Sequence, residues 1–365
     1  MSAGAVTEPQ VLNALRQVKD PDLHRDIVDL GFVKELTIAG GQVRFVVELT
    51  TPACPVKDRL RDEAQKVVLA IPGVTDVHVT MTANTRGRTL EHQRMLPGVK
   101  NPIAVASGKG GVGKSTTAVN LALALRRTGA TVGLLDADIY GPSIPIMLGI
   151  NERPSMIGQR LLPIDRYGLK VMSMGFLITE STPVVWRGPM VHQILQQFLT
   201  QVEWGTLDYL VIDLPPGTGD AQLTLTQSAP LAGAVIVTTP QDVALVDAVK
   251  GLQMFNKVNV PVLGIVENMS YFLCPHCSER SEIFGHGGGR RKATELGVPF
   301  LGEIPIVGAI REGGDNGQPV VVADPTSAAS AVYGEIAGAL AARLSTMNFD
   351  GPPAAPGSPI TWVSS

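Results

Sequence analysis

The sequence predicts an α/β fold, a mostly parallel sheet covered by helices on both faces, with a small α+β domain in front of it. Three observations predict it. From Pro102 onward, short apolar runs recur between helical patterns, as βαβ units require. A glycine-rich stretch joins the first of those runs directly to a helix. Residues 1–85 have another texture, strand-like alternation between short helical segments.

Taken in order, Val11, Leu12, Leu15 and Val18 have helical spacing, and Pro21 follows. Gln42 to Leu49 reads as a strand, a second helix is expected from Pro55, and Val74 to Thr80 alternates as a further strand. Residues 86–101, with Arg86, Arg88, Arg94 and Lys100, read as a solvated linker. The larger domain is expected over 102–348. Its strands are Ile103–Ala106, Val132–Leu135, Tyr209–Ile212, Ala234–Val237 and Val262–Val266, with helices over 116–125 and 243–255. Residues 349–365 hold four prolines and one charge, Asp350, and are expected to be disordered.

Composition excludes several classes. With 44 % hydrophobic and 17 % charged residues, the 365-residue chain can bury a sizeable core. Thirty basic against thirty-three acidic residues give a formal charge of -3, no basis for gripping nucleic acid or an anionic membrane. Met1 to Gln17 has no cationic flank before an apolar stretch, and no apolar run approaches the ~18 residues of a spanning helix. Three cysteines make no disulfide scaffold. A cytoplasmic location is expected.

Gly108-Lys109-Gly110-Gly111-Val112-Gly113-Lys114-Ser115 lies between the strand IAVA and the helical pattern STTAVNLALAL. That context makes it a P-loop: backbone N–H groups converge on phosphate oxygens at a helix N-terminus. Lys114 is expected to neutralise the β- and γ-phosphates and Ser115 to ligate Mg²⁺, with Thr116 completing the binding set. Asp136 and Asp138 close one predicted strand and Asp213 another, and parallel sheets place ligands at those edges. Asp213, in DLPPGTGD, suits Mg²⁺, and Gly217 can approach the γ-phosphate because it lacks a Cβ.

Cys274-Pro275-His276-Cys277 is a second chemical centre. Its spacing suits a zinc half-site, a redox pair or iron–sulfur ligation, and soft thiolates do not choose among them. The sequence has no second such motif, so either Cys54 or His276 joins the pair or two chains share the site. Cys54, before Pro55 at an expected helix N-terminus, reads as a thiol whose pKa is lowered.

GKGGVGKST, with its extra Lys109, resembles the deviant Walker A loop of the MinD and nitrogenase-iron-protein ATPases. DADIYGPS, VVWRGPM, DLPPGTGD and ENMSYFLCPHC narrow the resemblance to the Mrp/ApbC family of iron–sulfur cluster carrier ATPases, over roughly residues 95–345. Residues 1–85, with Thr51-Pro52-Ala53-Cys54-Pro55, resemble the iron–sulfur assembly domain that many bacterial members carry. The resemblance implies ATP as nucleotide and a homodimer in which Lys109 reaches the partner's phosphates. It also implies that Asp138 positions the attacking water, that Asn268 contacts adenine, and that Cys274 and Cys277 of two chains hold a 4Fe–4S cluster. Cluster donors and apoprotein clients are the implied partners. A zinc-stabilised regulatory ATPase, or a positioning ATPase of the MinD/ParA type, is the alternative. A positioning ATPase needs a membrane helix or a basic surface, and residues 351–365 hold no Lys or Arg.

Overall fold

The computed structural model describes residues 6–85, 87, 96–139, 141–176, 188–274, 276–277, 279–349 and 360–361. The chain forms two compact units, Met1–Arg86 with Ala341–Ser365, and Gly87–Leu340.

In the first unit, α1 (Glu8–Leu15) and α2 (Lys57–Leu69) accompany the strands β1 (Val33–Ala39), β2 (Gln42–Leu49) and β3 (Asp76–Ala83). β1 and β2 pair antiparallel as a hairpin, while β2 and β3 are parallel, joined by α2 as the crossover. The alternation in β2 sends Val43, Phe45, Val47 and Leu49 into the core, where α2 adds Leu60, Ala64 and Val68 from one face. Thr7 and Gln10 form a capping box on α1. The first helical pattern is shorter than its spacing suggests: α1 ends at Leu15, and Val18 reaches the core from a turn.

The second unit holds an eight-stranded sheet in the order β15-β12-β11-β4-β10-β5-β9-β8. These are β4 (Val99–Ala106), β5 (Val132–Asp136), β8 (Ile164–Arg166), β9 (Leu169–Ser173), β10 (Leu207–Asp213), β11 (Gly233–Thr238), β12 (Val262–Glu267) and β15 (Phe300–Glu303). Every pairing is parallel except the edge strand β8 on β9. A two-stranded hairpin, β6 (Met156–Ile157) with β7 (Arg160–Leu161), precedes β8. A second, β13 (Phe272–Leu273) with β14 (Arg280–Ser281), follows β12.

The helices are α3 (Lys114–Arg127), α4 (Ile144–Leu148), α5 (Gly188–Thr200), α6 (Asp220–Ser228), α7 (Asp242–Lys257), α8 (Gly288–Leu296), α9 (Gly308–Asp315), α10 (Val320–Ala323) and α11 (Ala328–Phe349). Strands β5, β10, β11 and β12 are buried at every position, which is why they read as unbroken apolar runs. The predicted α/β class and parallel sheet are borne out. No helix among the described residues is long and apolar enough to cross a membrane.

The boundaries differ from the sequence reading. Val99–Asn101, expected in the linker, open β4, where Lys100 pairs at 3.0 Å with buried Asp208 on β10. Most of the expected linker, 86 and 88–95, lies outside the described residues, as do 350–359 and 362–365 of the expected disordered tail. Ile360–Thr361 form a short strand, β16, antiparallel to β3. The end of α11 belongs to the first unit: Phe349 meets Phe32 edge-on at 6.4 Å, and the Ser345 hydroxyl contacts that of Thr50. An apolar helix that continues through a boundary leaves no mark of it in the sequence.

Candidate functional site

The glycine loop connects the buried end of β4 to α3. At two of its glycines a side chain would meet neighbouring atoms. A Cβ on Gly108 would sit 2.2 Å from the backbone of Asp247. Gly113 caps α3 at φ +79°, and its Cβ would lie 2.1 Å from Asn268 Nδ2. The Thr117 hydroxyl donates to the Gly113 carbonyl at 2.8 Å and fixes the loop's exit.

β10 lies between β4 and β5, so the loop and the carboxylates belong to three adjacent strands, with Asp213 opposite Asp136 in register. Lys114 is 6 % exposed, and its Nζ donates to Asp213 Oδ1 at 2.6 Å and Ser115 Oγ at 3.1 Å. Asp138 Oδ2 stands 3.7 Å from the same nitrogen. Burial pushes the Asp213 carboxyl up, opposed by the charge of Lys114 and by hydrogen bonds from Lys114 and Ser115. Asp213 Oδ2 and Asp138 Oδ1 are buried without a hydrogen-bond partner. Such pairs of oxygens are costly unless a ligand or cation meets them.

A cavity of about 210 Å³ opens here, lined by Lys109, Gly110, Gly111, Lys114, Ser115 and Asp138 among others. Gly113, Thr116, Ser143 and Met147 line both this cavity and a neighbouring one of about 660 Å³. Ile146, Met269, Ile283, Phe284 and Ile306 give the larger space apolar walls. Asn268 stands at its edge, donating through Nδ2 to the Val112 carbonyl at 2.8 Å.

Asp136 faces inward instead. It is fully buried and accepts from Ser173 Oγ (2.9 Å), Asp138 N–H (3.2 Å) and Ile144 N–H (3.3 Å). Burial first, then the charge of Asp213, push its carboxyl up to about 7. The folded state therefore holds the Asp136 proton more tightly than the unfolded chain, whose ordinary value is 3.8. That contribution to stability is complete below the unfolded value and is lost as pH rises through about 7. Asp136→Asn is expected to remove this slope, at most about 1.4 kcal/mol per pH unit. Denaturant unfolding of both proteins at pH 4.5, 6 and 8 reads it, and parallel profiles would assign the titration elsewhere.

Cys274 and Cys277 occupy the turn of the β13–β14 hairpin, which the Cys274 N–H closes on the Glu279 carbonyl at 3.0 Å. Cys274 is partly exposed and Cys277 exposed. Backbone hydrogen bonding from His276 and Cys277 holds the Cys274 thiol below the usual range. Among the described residues no three Cys, His, Asp or Glu side chains gather as a metal site.

Cys54 corrects the sequence reading. It is buried at 8 % exposure, three residues ahead of α2, and burial pushes its thiol up to about 11 rather than down. Desolvation outweighs the helix N-terminus because the sulfur faces the first unit's core.

Several lining residues escaped individual notice: Ser143, Met147 and Pro216. So did Glu267, a buried acid that ends an apolar run just as Asp136 and Asp213 do, a signal available in the sequence. Tyr140, Pro275 and residues 184–187 of the quoted motifs lie outside the described residues.

A parallel sheet with a glycine loop at its centre, a buried lysine and strand-end carboxylates defines a P-loop nucleoside triphosphatase. The family of NUBPL iron-transfer P-loop NTPases matches over residues 98–341, and an iron–sulfur cluster assembly protein family matches over 8–81. The chain belongs to the NUBPL iron-transfer P-loop NTPase family, and the Mrp/ApbC resemblance is borne out. It is 52 % identical over 347 residues to the iron–sulfur cluster carrier protein of Synechocystis sp., covering 93 % of this chain and 98 % of that one. The carrier protein of Deinococcus radiodurans is 48 % identical over 337 residues, covering 92 % and 95 %. Among solved structures, a nucleotide-binding protein from Archaeoglobus fulgidus in complex with ADP is 43 % identical. It has a TM-score of 0.57 and covers 63 % of this chain and 92 % of its own. The cell division ATPase MinD of Pyrococcus furiosus, 22 % identical with a TM-score of 0.51 over 66 % and 97 % of the chains, shares the fold.

Proposed function

We propose that the protein is an ATP-binding and ATP-hydrolysing carrier that takes a 4Fe–4S cluster from a donor and passes it to apoprotein clients. The observation that carries this reading is the pairing, in one unit, of a buried Lys114–Asp213 phosphate site with an accessible two-cysteine hairpin. Family membership and the carrier relatives support the cargo assignment. The ADP held by the Archaeoglobus fulgidus relative supports a nucleotide in the cavity.

The residues fit a magnesium nucleotide. The unpartnered Asp213 Oδ2 and the Ser115 hydroxyl are the donors for Mg²⁺, whose charge there offsets that of the phosphates. Lys114 exchanges Asp213 for the β/γ-phosphates. The apolar walls of the larger cavity suit a flat base, with Asn268 at the rim as its polar contact. Asp138 lines the phosphate cavity whereas Asp136 holds backbone, which favours Asp138 as the group that orients the attacking water. Lys109, at the mouth, is the residue for the phosphates of a second copy.

The cluster is cargo. Cys274 and Cys277 from each of two chains supply the four thiolates it usually takes, a two-fold axis bringing each residue to its own copy. Gly217, whose N–H donates to the Ser107 carbonyl at 3.0 Å, lies on the segment able to sense the γ-phosphate and alter the dimer. Anaerobic reconstitution, with iron and sulfide analysis, absorption spectra and MgATP turnover, tests the reading. Four irons and four sulfides per dimer with ATP turnover are expected. Stoichiometric zinc without sulfide would replace the carrier by the zinc-stabilised ATPase.

A further inference from the structure

β12 brings Glu267 to the C-terminal edge of the sheet, one residue before Asn268, and the side chain is fully buried. Its Oε1 accepts from the Ser270 hydroxyl at 2.6 Å and the Gly287 N–H at 3.3 Å. Its Oε2 accepts from the Gly289 N–H in the first turn of α8 at 2.5 Å. Ser270 and Gly287 are the two ends of the excursion that carries Cys274 and Cys277. One carboxylate oxygen therefore closes the neck of that excursion, and the other fastens it to a helix.

The same excursion builds the larger cavity. Met269, held at φ +55°, begins one wall, and Ile283 and Phe284, just past β14, form another. The third comes from Pro305 to Val307, tied to the hairpin by the Ile306 N–H on the Tyr271 carbonyl at 2.7 Å. Arg280 stacks 4.0 Å from the Tyr271 ring centroid and pairs with Glu303 at 3.3 Å, bracing β14 against the end of β15. A hairpin of two-residue strands would otherwise move independently of the sheet. Charge-assisted hydrogen bonds in a dry site make it follow the sheet edge.

We propose that Glu267 is a positioning residue that couples occupancy of the nucleotide cavity to the geometry of Cys274 and Cys277. The proposal rests on the nucleotide-binding part of the function above and is independent of the cargo. Nucleotide pressing on Asn268, Met269 and Phe284 acts on both ends of the excursion, and the buried carboxylate keeps those ends together.

Amide hydrogen exchange over residues 271–286 of the full chain, without cluster and with or without MgADP, reads the coupling directly. In the native protein MgADP is expected to slow exchange about tenfold, within the usual range of coupling between sites. Ser270→Ala removes one neck contact, leaves Glu267 on Gly289, and should reduce that slowing to under about threefold. Glu267→Gln sets an amide NH₂ against a backbone N–H and should abolish it; if that variant fails to fold, Ser270→Ala decides. MgADP affinity, by calorimetry, should change less than about threefold in Ser270→Ala. Undiminished slowing in Ser270→Ala, or a native protein that binds MgADP without slowing, overturns the proposal. Absence of MgADP binding overturns it together with the nucleotide reading. Intact slowing in a protein that takes up no cluster would leave it standing and remove the carrier function.

Discussion

Lys114→Ala should weaken MgATP binding about a hundredfold, about 2.7 kcal/mol, and abolish measurable turnover. The buried ammonium supplies positive charge for the β- and γ-phosphates inside a cavity it lines together with Lys109, Ser115 and Asp138. The substitution has a second effect, on the empty site. Asp213 loses its 2.6 Å ion pair while fully buried and opposite Asp136, and an uncompensated buried charge costs about 3–5 kcal/mol. Protonation relieves it. Burial already raises the Asp213 carboxyl and Lys114 opposes that rise, so the variant binds its proton more tightly than the native protein. Its stability is therefore retained at low pH and lost as pH rises, and the deficit should widen from pH 5 to pH 8. Calorimetric titration with MgATP and thermal unfolding at the two pH values separate the effects. Native affinity would overturn the phosphate assignment; a deficit independent of pH would overturn the account of Asp213.

Cys277→Ser should lose the cluster and the dimer together. Each chain presents two accessible thiols in one hairpin, and Cys54 is buried in another unit with its thiol pushed up to about 11. With one ligand gone from each chain, iron content should fall below about a tenth of the native value. A ligand that binds only the assembled dimer stabilises it by mass action, so the cluster-free variant should dissociate at least about tenfold more readily. Cys54→Ser should retain the cluster. Light scattering with iron and sulfide analysis reads both variants. A monomeric native protein carrying a complete cluster, or loss of cluster in Cys54→Ser, would refute the shared site.

The central sheet was legible because parallel strands buried on both faces must be apolar at every position, so TVGLLD and YLVID mark both a strand and the carboxylate at its edge. The glycine loop was legible for a similar reason: Gly108 and Gly113 stand where neighbouring atoms leave no room for a Cβ. Short edge strands such as β8 and the β13–β14 hairpin were not, since two or three residues carry no period. Cys54 was misread because a helix start is a local signal, whereas burial of its sulfur is set by the whole first unit. Asp136 and Asp138 look equivalent in DAD; the structure separates them by turning one into the sheet's interior and the other toward the cavity.

The sheet order has a consequence for how the molecule fails when heated. The loop, Asp213 and Asp136 are carried by β4, β10 and β5, three neighbours at the middle of eight strands, so the phosphate side is lost only when the sheet itself is. The cysteine turn hangs on a pair of two-residue strands at the surface, fastened to the sheet edge by a handful of hydrogen bonds and ion pairs that give way before the eight strands do. Warming should therefore remove the ability to hold cargo before the ability to bind nucleotide, and a preparation that still binds nucleotide has not thereby been shown to be competent to carry.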